Sequence, residues 1–307
     1  MAINLVTKFE KYVDELFTKD SKRSLVTNND FDWTGAHTVK IYKVSTAQMN
    51  DYNRTGEDLQ HGESRYCTVE NLDATTEEMT LKKDRSFTFV IDKLDRDETG
   101  DALNAADALN RQSRQVVIPE IDAYTYGVMA AGAGTKPDAK ELTAVNIYNE
   151  IIAGTEILDD AMVPDTGRVL IVVPAVYRLM KACKDINLDC DISEDQRRKG
   201  VIAMVDGMDV VKVPAVRLPA NFGFMIAHPI ATVAPVKLED YKAHEDPPGI
   251  SGALCEGRFV YDAFVLENKV MAIYYQAMAA AAANDSGAGD DSGDGDDSGD
   301  DVQEQGA

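Results

Sequence analysis

The chain has no C-x-x-C pair, no grouped histidines, no phosphate-binding glycine motif and no apolar run long enough to cross a bilayer. Each absence removes a class of function. Cys67, Cys183, Cys190 and Cys255 are scattered, which fits reduced thiols better than a disulfide framework or a zinc site. His37, His61, His228 and His244 are equally dispersed, none at i, i+4 from another ligand type, so they form no metal or catalytic set. Gly132-Ala133-Gly134 lacks a third glycine and follows a helix, where a dinucleotide fingerprint follows a strand. Gly249-Ile250-Ser251-Gly252 lacks the spacing of a nucleophile elbow. Asp240, Glu245 and Asp246 beside His244 are the nearest thing to an acid–base group, and Leu238–Pro248 is expected to be a solvated loop. No cofactor, no metal and no catalytic residue is expected, and the chain is not read as an enzyme.

The longest wholly apolar runs, Val169–Val176 and Ala277–Ala283, fall far short of the ~20 residues a bilayer requires. The opening Met1–Lys8 lacks the apolar core and cleavage site of a signal peptide. A cytosolic site of synthesis and no membrane partner are therefore expected.

What the chain has in excess is negative charge: 53 acidic against 31 basic residues, net −22. Residues 284–307 hold eight aspartates and Glu304 with no Lys or Arg, a charge of −9, which leaves −13 for the rest. That tail cannot bury enough apolar surface to fold, and its Asp-Ser-Gly units lack the spacing of a calcium loop. An acidic body does not grip a phosphate backbone broadly, but it suits a surface that lies beside nucleic acid without adhering to it. At 44% apolar residues, the chain can still bury a substantial core.

Periodicity predicts a mixed α+β architecture. Val6, Phe9, Val13, Leu16 and Phe17 lie at helical spacing over 3–19, with mixed charges that favour docking on protein. A strand is expected at Val39–Val44. A helix follows from about Asp101 to Ala131, kinked or broken at Pro119 and ended by the glycines at 132 and 134. Asp138 and Glu141 suggest a capping box for the next helix. Val169–Val173 is expected to be a strand buried on both faces, and Pro174 the first turn of another helix. Val201–Val205 and Val210–Val213 around Asp206-Gly207 make a good hairpin signal. A second hairpin, around Glu267-Asn268-Lys269, is expected to join Phe259–Leu266 to Val270–Tyr275.

Residues 46–98 carry the most informative pattern. A long polar excursion ends in Met79-Thr80-Leu81, a charged tip Lys82–Arg85, and Phe87, Phe89 and Ile91 alternating on one strand face. An isolated hairpin is marginal in water, so these side chains need cover from elsewhere in the chain or from another subunit. The second alternative makes Phe9, Phe17, Met79, Leu81, Phe87, Phe89 and Ile91 candidate inter-subunit contacts. Lys82 and Lys83 are expected to be solvated charges.

Several local strings then resemble one family. They are Asn29–Trp33 before Thr38–Tyr42, Met49–Tyr52, Arg85–Phe89, Val117–Asp122, His228–Leu238 and Asp262–Leu266. Together with the order of parts over about residues 2–276, they resemble the major capsid protein of tailed double-stranded DNA bacteriophages, the Hong Kong 97-type fold. The resemblance implies an N-terminal arm at 1–36, an extended β loop at 46–98 and a spine helix at 99–132. It implies an axial lobe at 138–227 and peripheral strands at 228–276; the acidic tail at 277–307 lies outside the shared pattern. It further implies hexamers and pentamers of an icosahedral shell, a separate scaffolding protein, a portal protein, DNA enclosed without specific binding, and a place in the virion after assembly in the bacterial cytoplasm. Two other readings stay open at this point: an encapsulin-like nanocompartment shell and a cytosolic α/β enzyme built on 138–227.

Overall fold

The computed structural model describes residues 20–28, 30–34, 36–55, 64–66, 71–98, 104–183 and 201–279. The chain runs through β1 (Thr38–Val44), β2 (Ala74–Thr80), β3 (Lys83–Asp92), α1 (Lys93–Glu98) and α2 (Ala105–Gln112). A π turn (Ser113–Val117) then leads into α3 (Ile118–Gly132), followed by α4 (Ile147–Asp160), β4 (Val169–Val172) and α5 (Pro174–Ala182). The remaining strands are β5 (Val201–Val205), β6 (Met208–Lys212), β7 (Phe222–Ala227), β8 (Thr232–Val233), β9 (Val236–Glu245), β10 (Gly252–Tyr261), β11 (Phe264–Val265) and β12 (Ile273–Ala277). This is a mixed α+β fold.

The main core lies in an α/β lobe. Its sheet has the order β12-β7-β4-β6-β5. β4 is buried along its whole length, because α4 and α5 bring Ile147, Ile151, Leu158, Val176 and Met180 into the same core as the strands. Asp206 and Gly207 both take positive φ, 50° and 73°, the geometry of the tight turn their sequence demands. α4 begins at Ile147, past the expected cap at Asp138. Residues 138–143 are held extended instead: the Lys140 N–H donates to the Ala277 carbonyl and the Ala279 N–H to the Lys140 carbonyl. β12 belongs to this sheet, paired with β7, and so extends the lobe beyond the expected boundary at 227. The hairpin expected around 267–269 does not form. Both edges of β10 are already taken, by β3 and by β9, so 270–275 finds its partner in the other lobe after a 3-10 turn at Glu267–Ala272.

The second lobe is built on the long helix. Pro119 does not break it. α2, the π turn and α3 run on continuously, and the π turn directly before Pro119 makes room for its ring and its missing N–H. The three-stranded sheet β3-β10-β9 lies against this helix. β9 occupies most of the segment expected to be a solvated loop. As an edge strand with one wet face it needs few apolar residues, and its pairing with β10 supplies the order.

One expectation is corrected outright. Residues 74–80 and 83–91 are not two arms of a hairpin. β2 pairs with β1, Thr38 opposite Thr80 through Val44 opposite Ala74. β3 pairs with β10, Lys83 opposite Tyr261 through Asp92 opposite Gly252. Leu81 and Lys82 carry the chain from one sheet to the next, and the Lys82 N–H donates to Asp262 Oδ2 at 2.8 Å. The ribbon that stands out from the body is therefore β1–β2, and the excursion it carries is 45–73.

Candidate assembly surfaces

The root of the β1–β2 ribbon is locked to its own body. Met79 and Leu81 are 1% and 3% exposed, in a small core with Trp33, Val233 and Leu266. Trp33 stacks on Phe264 with ring centroids 5.7 Å apart. Full burial of side chains of this size is worth about 1.5–3 kcal/mol each. The Thr38 and Thr80 hydroxyls are hydrogen-bonded at 2.9 Å. Lys43 bridges Glu77 on β2 and Glu267 on the body. Met79 and Leu81 are thus internal core, and the expectation that they meet a neighbouring subunit is corrected.

Beyond that root the ribbon changes character. Tyr42 is 76% exposed, Met49 99% and Tyr66 78%, and Val44, Tyr52 and Leu72 are also more than half exposed. The limbs hold each other: the Ser45 N–H donates to the Asp73 carbonyl, the Asn53 N–H to the Arg65 carbonyl, and Tyr52 meets Tyr66 edge-to-face at 5.0 Å. Six large apolar side chains of this ribbon and its excursion are thus left without cover among the described residues. The sequence hides them, because these residues stand singly among polar ones and follow no period.

β3 tells the opposite story. Phe87 and Phe89 are half-buried and Ile91 is buried. Phe87 lies against Phe259 (6.1 Å) and Tyr241 (6.5 Å), over the Val117–Ile121 face of the long helix. It fits because its cross-strand partner is Gly257, where a Cβ would stand 2.5 Å from the ring. The face expected to wait for a neighbour is covered by the chain's own β10 and helix. Polar ties seal the seam. Arg85 pairs with Glu120 at 2.8 Å, the Tyr261 hydroxyl donates to Glu120 Oε1 at 3.1 Å, and the Tyr241 hydroxyl donates to Ser113 Oγ at 3.0 Å. Burial, then Glu120, pushes the Tyr261 phenol up to about 12. Lys83 is not at a loop tip; its Nζ sits 4.9 Å from the Tyr124 ring centroid. Phe9 and Phe17 lie outside the described residues.

A polar joint ties three parts of the chain together. Arg217, in a 3-10 turn of the α/β lobe, donates through Nη1 to Asp122 Oδ2 on α3 at 2.9 Å. The Ser21 hydroxyl donates to Asp122 Oδ1 at 2.6 Å, and the Asp20 carbonyl accepts from Arg217 Nη1 at 3.3 Å. The segment that leads in from the N-terminus is thus pinned where the two lobes meet. Burial raises the neighbouring Tyr126 phenol far above its ordinary range, with Asp122 adding to it.

Among the described residues no three His, Cys, Asp or Glu side chains come together as metal ligands. His228 Nε2 lies 3.1 Å from the Thr166 carbonyl and its Nδ1 accepts from the Ile230 N–H, a structural role. Cys255 is buried, and burial pushes its thiol up, away from nucleophilic character. Among the described residues no helix is long and apolar enough to cross a membrane.

Comparison with solved structures places the architecture. The chain is similar to a protein of Mycobacterium phage Che8 at 18% identity and a TM-score of 0.69, over 90% of this chain and 98% of that one. It is similar to the capsid protein of cyanophage P-SCSP1u at 14% identity and 0.69, over 90% and 93%. It is likewise similar to the mature capsid protein of bacteriophage PhiM1 at 16% identity and 0.60, over 89% and 92%. No protein-family model and no curated protein sequence matches the chain. The chain has the mixed α+β fold of bacteriophage capsid proteins.

Proposed function

We propose that the chain is a major capsid protein: a structural subunit that assembles with copies of itself into hexamers and pentamers of an icosahedral shell around phage DNA. One observation carries this reading: on a capsid-type fold, a ribbon clamped at its root presents a bare apolar outer half. Such a surface is stable in water only when covered, and a second copy of the chain is the partner every subunit meets in a shell. The ribbon β1–β2 with its excursion, residues 38–80, then serves as the extended loop, in place of 46–98. The five-stranded lobe acts as the axial lobe, and the long helix with β3-β10-β9 as the peripheral lobe.

A standard protein interface buries about 800 Å² per partner. Several such contacts per subunit, each weak alone, give a closed shell its cooperativity and let misplaced subunits leave. The net charge of −22 keeps packaged duplex from adhering to the wall. Scaffolding and portal proteins complete the assembly inside the bacterial cell, and the subunit ends in the virion.

Sedimentation and electron microscopy of the purified chain test this. Closed megadalton particles or capsomers are expected. A chain that remains a compact monomer as its concentration is raised would overturn the reading.

A further inference from the structure

A cavity of about 570 Å³ lies beside the ribbon root, walled in part by Arg23, Phe31, Trp33, Thr34, Pro235 and Lys237. Two features set it apart. Among the described residues its lining has two cations and no carboxylate, in a chain where acids outnumber bases 53 to 31. Two of its lining side chains also carry a buried hydrogen-bond donor with no acceptor among the described residues: Trp33 Nε1, on a side chain only 7% exposed, and Arg23 Nη1. Burial disfavours the charged form of Arg23. The field of Asp122 opposes this, but that carboxylate is already bonded to Arg217 and Ser21. The acid nearest Trp33 in sequence, Asp32, accepts instead from the Thr34 N–H at 2.8 Å. Lys237 donates to a backbone oxygen, that of Ala36, at 2.5 Å.

Buried donors are nearly always paired, and a charged donor bonds most strongly to an anionic oxygen. Neither orphan atom touches water, so an acceptor that enters must turn the wall side chains toward itself.

We propose that this cavity is a docking site for carboxylates of the chain's own acidic tail, residues 284–307. Charge selects that occupant: eight aspartates and a glutamate with no cation, set between glycines and serines that let an extended strand enter a narrow site. Reach permits it. The 28 residues from 280 to 307 span at most about 100 Å when extended. Docking would neutralise Arg23 and Lys237 at the ribbon root and satisfy both orphan donors. The inference concerns the free subunit, and does not depend on the assembly reading.

Trp33 is the only tryptophan in the chain, so its fluorescence reports the cavity directly. In the full chain, replacing the eight tail aspartates with asparagine and Glu304 with glutamine is expected to shift Trp33 emission and increase its quenching by acrylamide. A synthetic peptide of residues 284–307, added to that neutral-tailed protein at low salt, should reverse both changes saturably. Added salt and the Lys237→Gln substitution should each weaken the effect, and Arg23→Gln should abolish it while circular dichroism stays unchanged. Identical emission from the native and neutral-tailed chains would overturn the proposal. So would a response to inorganic phosphate or a short DNA duplex with none to the peptide. If Arg23→Gln fails to fold, the peptide titration and the Lys237→Gln arm still decide the matter.

Discussion

Arg217 and Asp122 form a nearly dry ion pair, 2.9 Å from Nη1 to Oδ2, with side chains 7% and 2% exposed. The pair joins the α/β lobe to the long helix, and Ser21 fastens the incoming N-terminal segment to the same carboxylate. Breaking such a pair from one side strands a charge where water cannot reach it. Arg217→Met is therefore expected to cost about 3–5 kcal/mol, whereas Arg217→Met with Asp122→Leu should recover much of the loss. Urea unfolding of the subunit, comparing midpoints of the single and double variants, checks this.

Gly257 is the seat of Phe87. A methyl there would lie 2.5 Å from two ring atoms, so Gly257→Ala should destabilise the subunit by about 1–3 kcal/mol through overpacking. Adding Phe87→Ala should remove the clash and leave only the loss of the ring. Thermal unfolding of the two variants separates these effects. The same packing means that Phe87→Ser weakens the fold itself, and any effect on assembly follows from that.

The outer ribbon should behave in the reverse way. Tyr42 and Tyr66 are 76% and 78% exposed, so replacing both with serine should change subunit stability by no more than ~0.5 kcal/mol. Particle formation, followed by sedimentation, should nonetheless fall sharply. Normal particles from this variant would separate the ribbon from assembly.

His228 gives the fold one pH dependence near neutrality. Burial holds its imidazole below the ordinary value of 6.5, with Arg168 and Lys269 pushing the same way and the Thr166 carbonyl opposing. Nδ1 must stay unprotonated to accept from the Ile230 N–H. The unfolded chain therefore takes up this proton first. The stabilisation is fully present above about pH 6.5 and is lost as pH falls from there through the lower folded value. Melting temperatures across that range should fall more steeply for the native chain than for His228→Gln.

Local signals in the sequence were legible wherever the structure obeys local rules. The Asp206-Gly207 turn, the buried Val169–Val172 strand, the Pro174 helix start and the helix stop at Gly132 all follow from residues within a few positions. Pairing partners were not legible. Nothing between 79 and 91 says that β2 returns to β1 while β3 crosses to β10, since that choice is made by a strand more than 150 residues away. β9 was hidden because an edge strand with a wet face looks like a polar loop. Met79, Leu81 and Ile91, expected to meet a neighbouring subunit, are covered by the chain itself. The bare residues farther out carry no repeat that a periodicity argument could detect.

The π turn at Ser113–Val117 has a geometric consequence for the helix that contains it. Each residue of an α-helix advances the side chains by about 100°, and a π turn slips an additional residue into the winding. Everything after it is rotated out of phase with everything before it. α2 therefore addresses β10 alone of the strands it meets most, whereas α3 keeps Glu120, Ile121 and Tyr124 on β10 and also turns toward β11, β12 and the 3-10 turn that holds Arg217. One uninterrupted rod thereby serves as a wall for two rooms, a task that would otherwise need two helices and a loop between them.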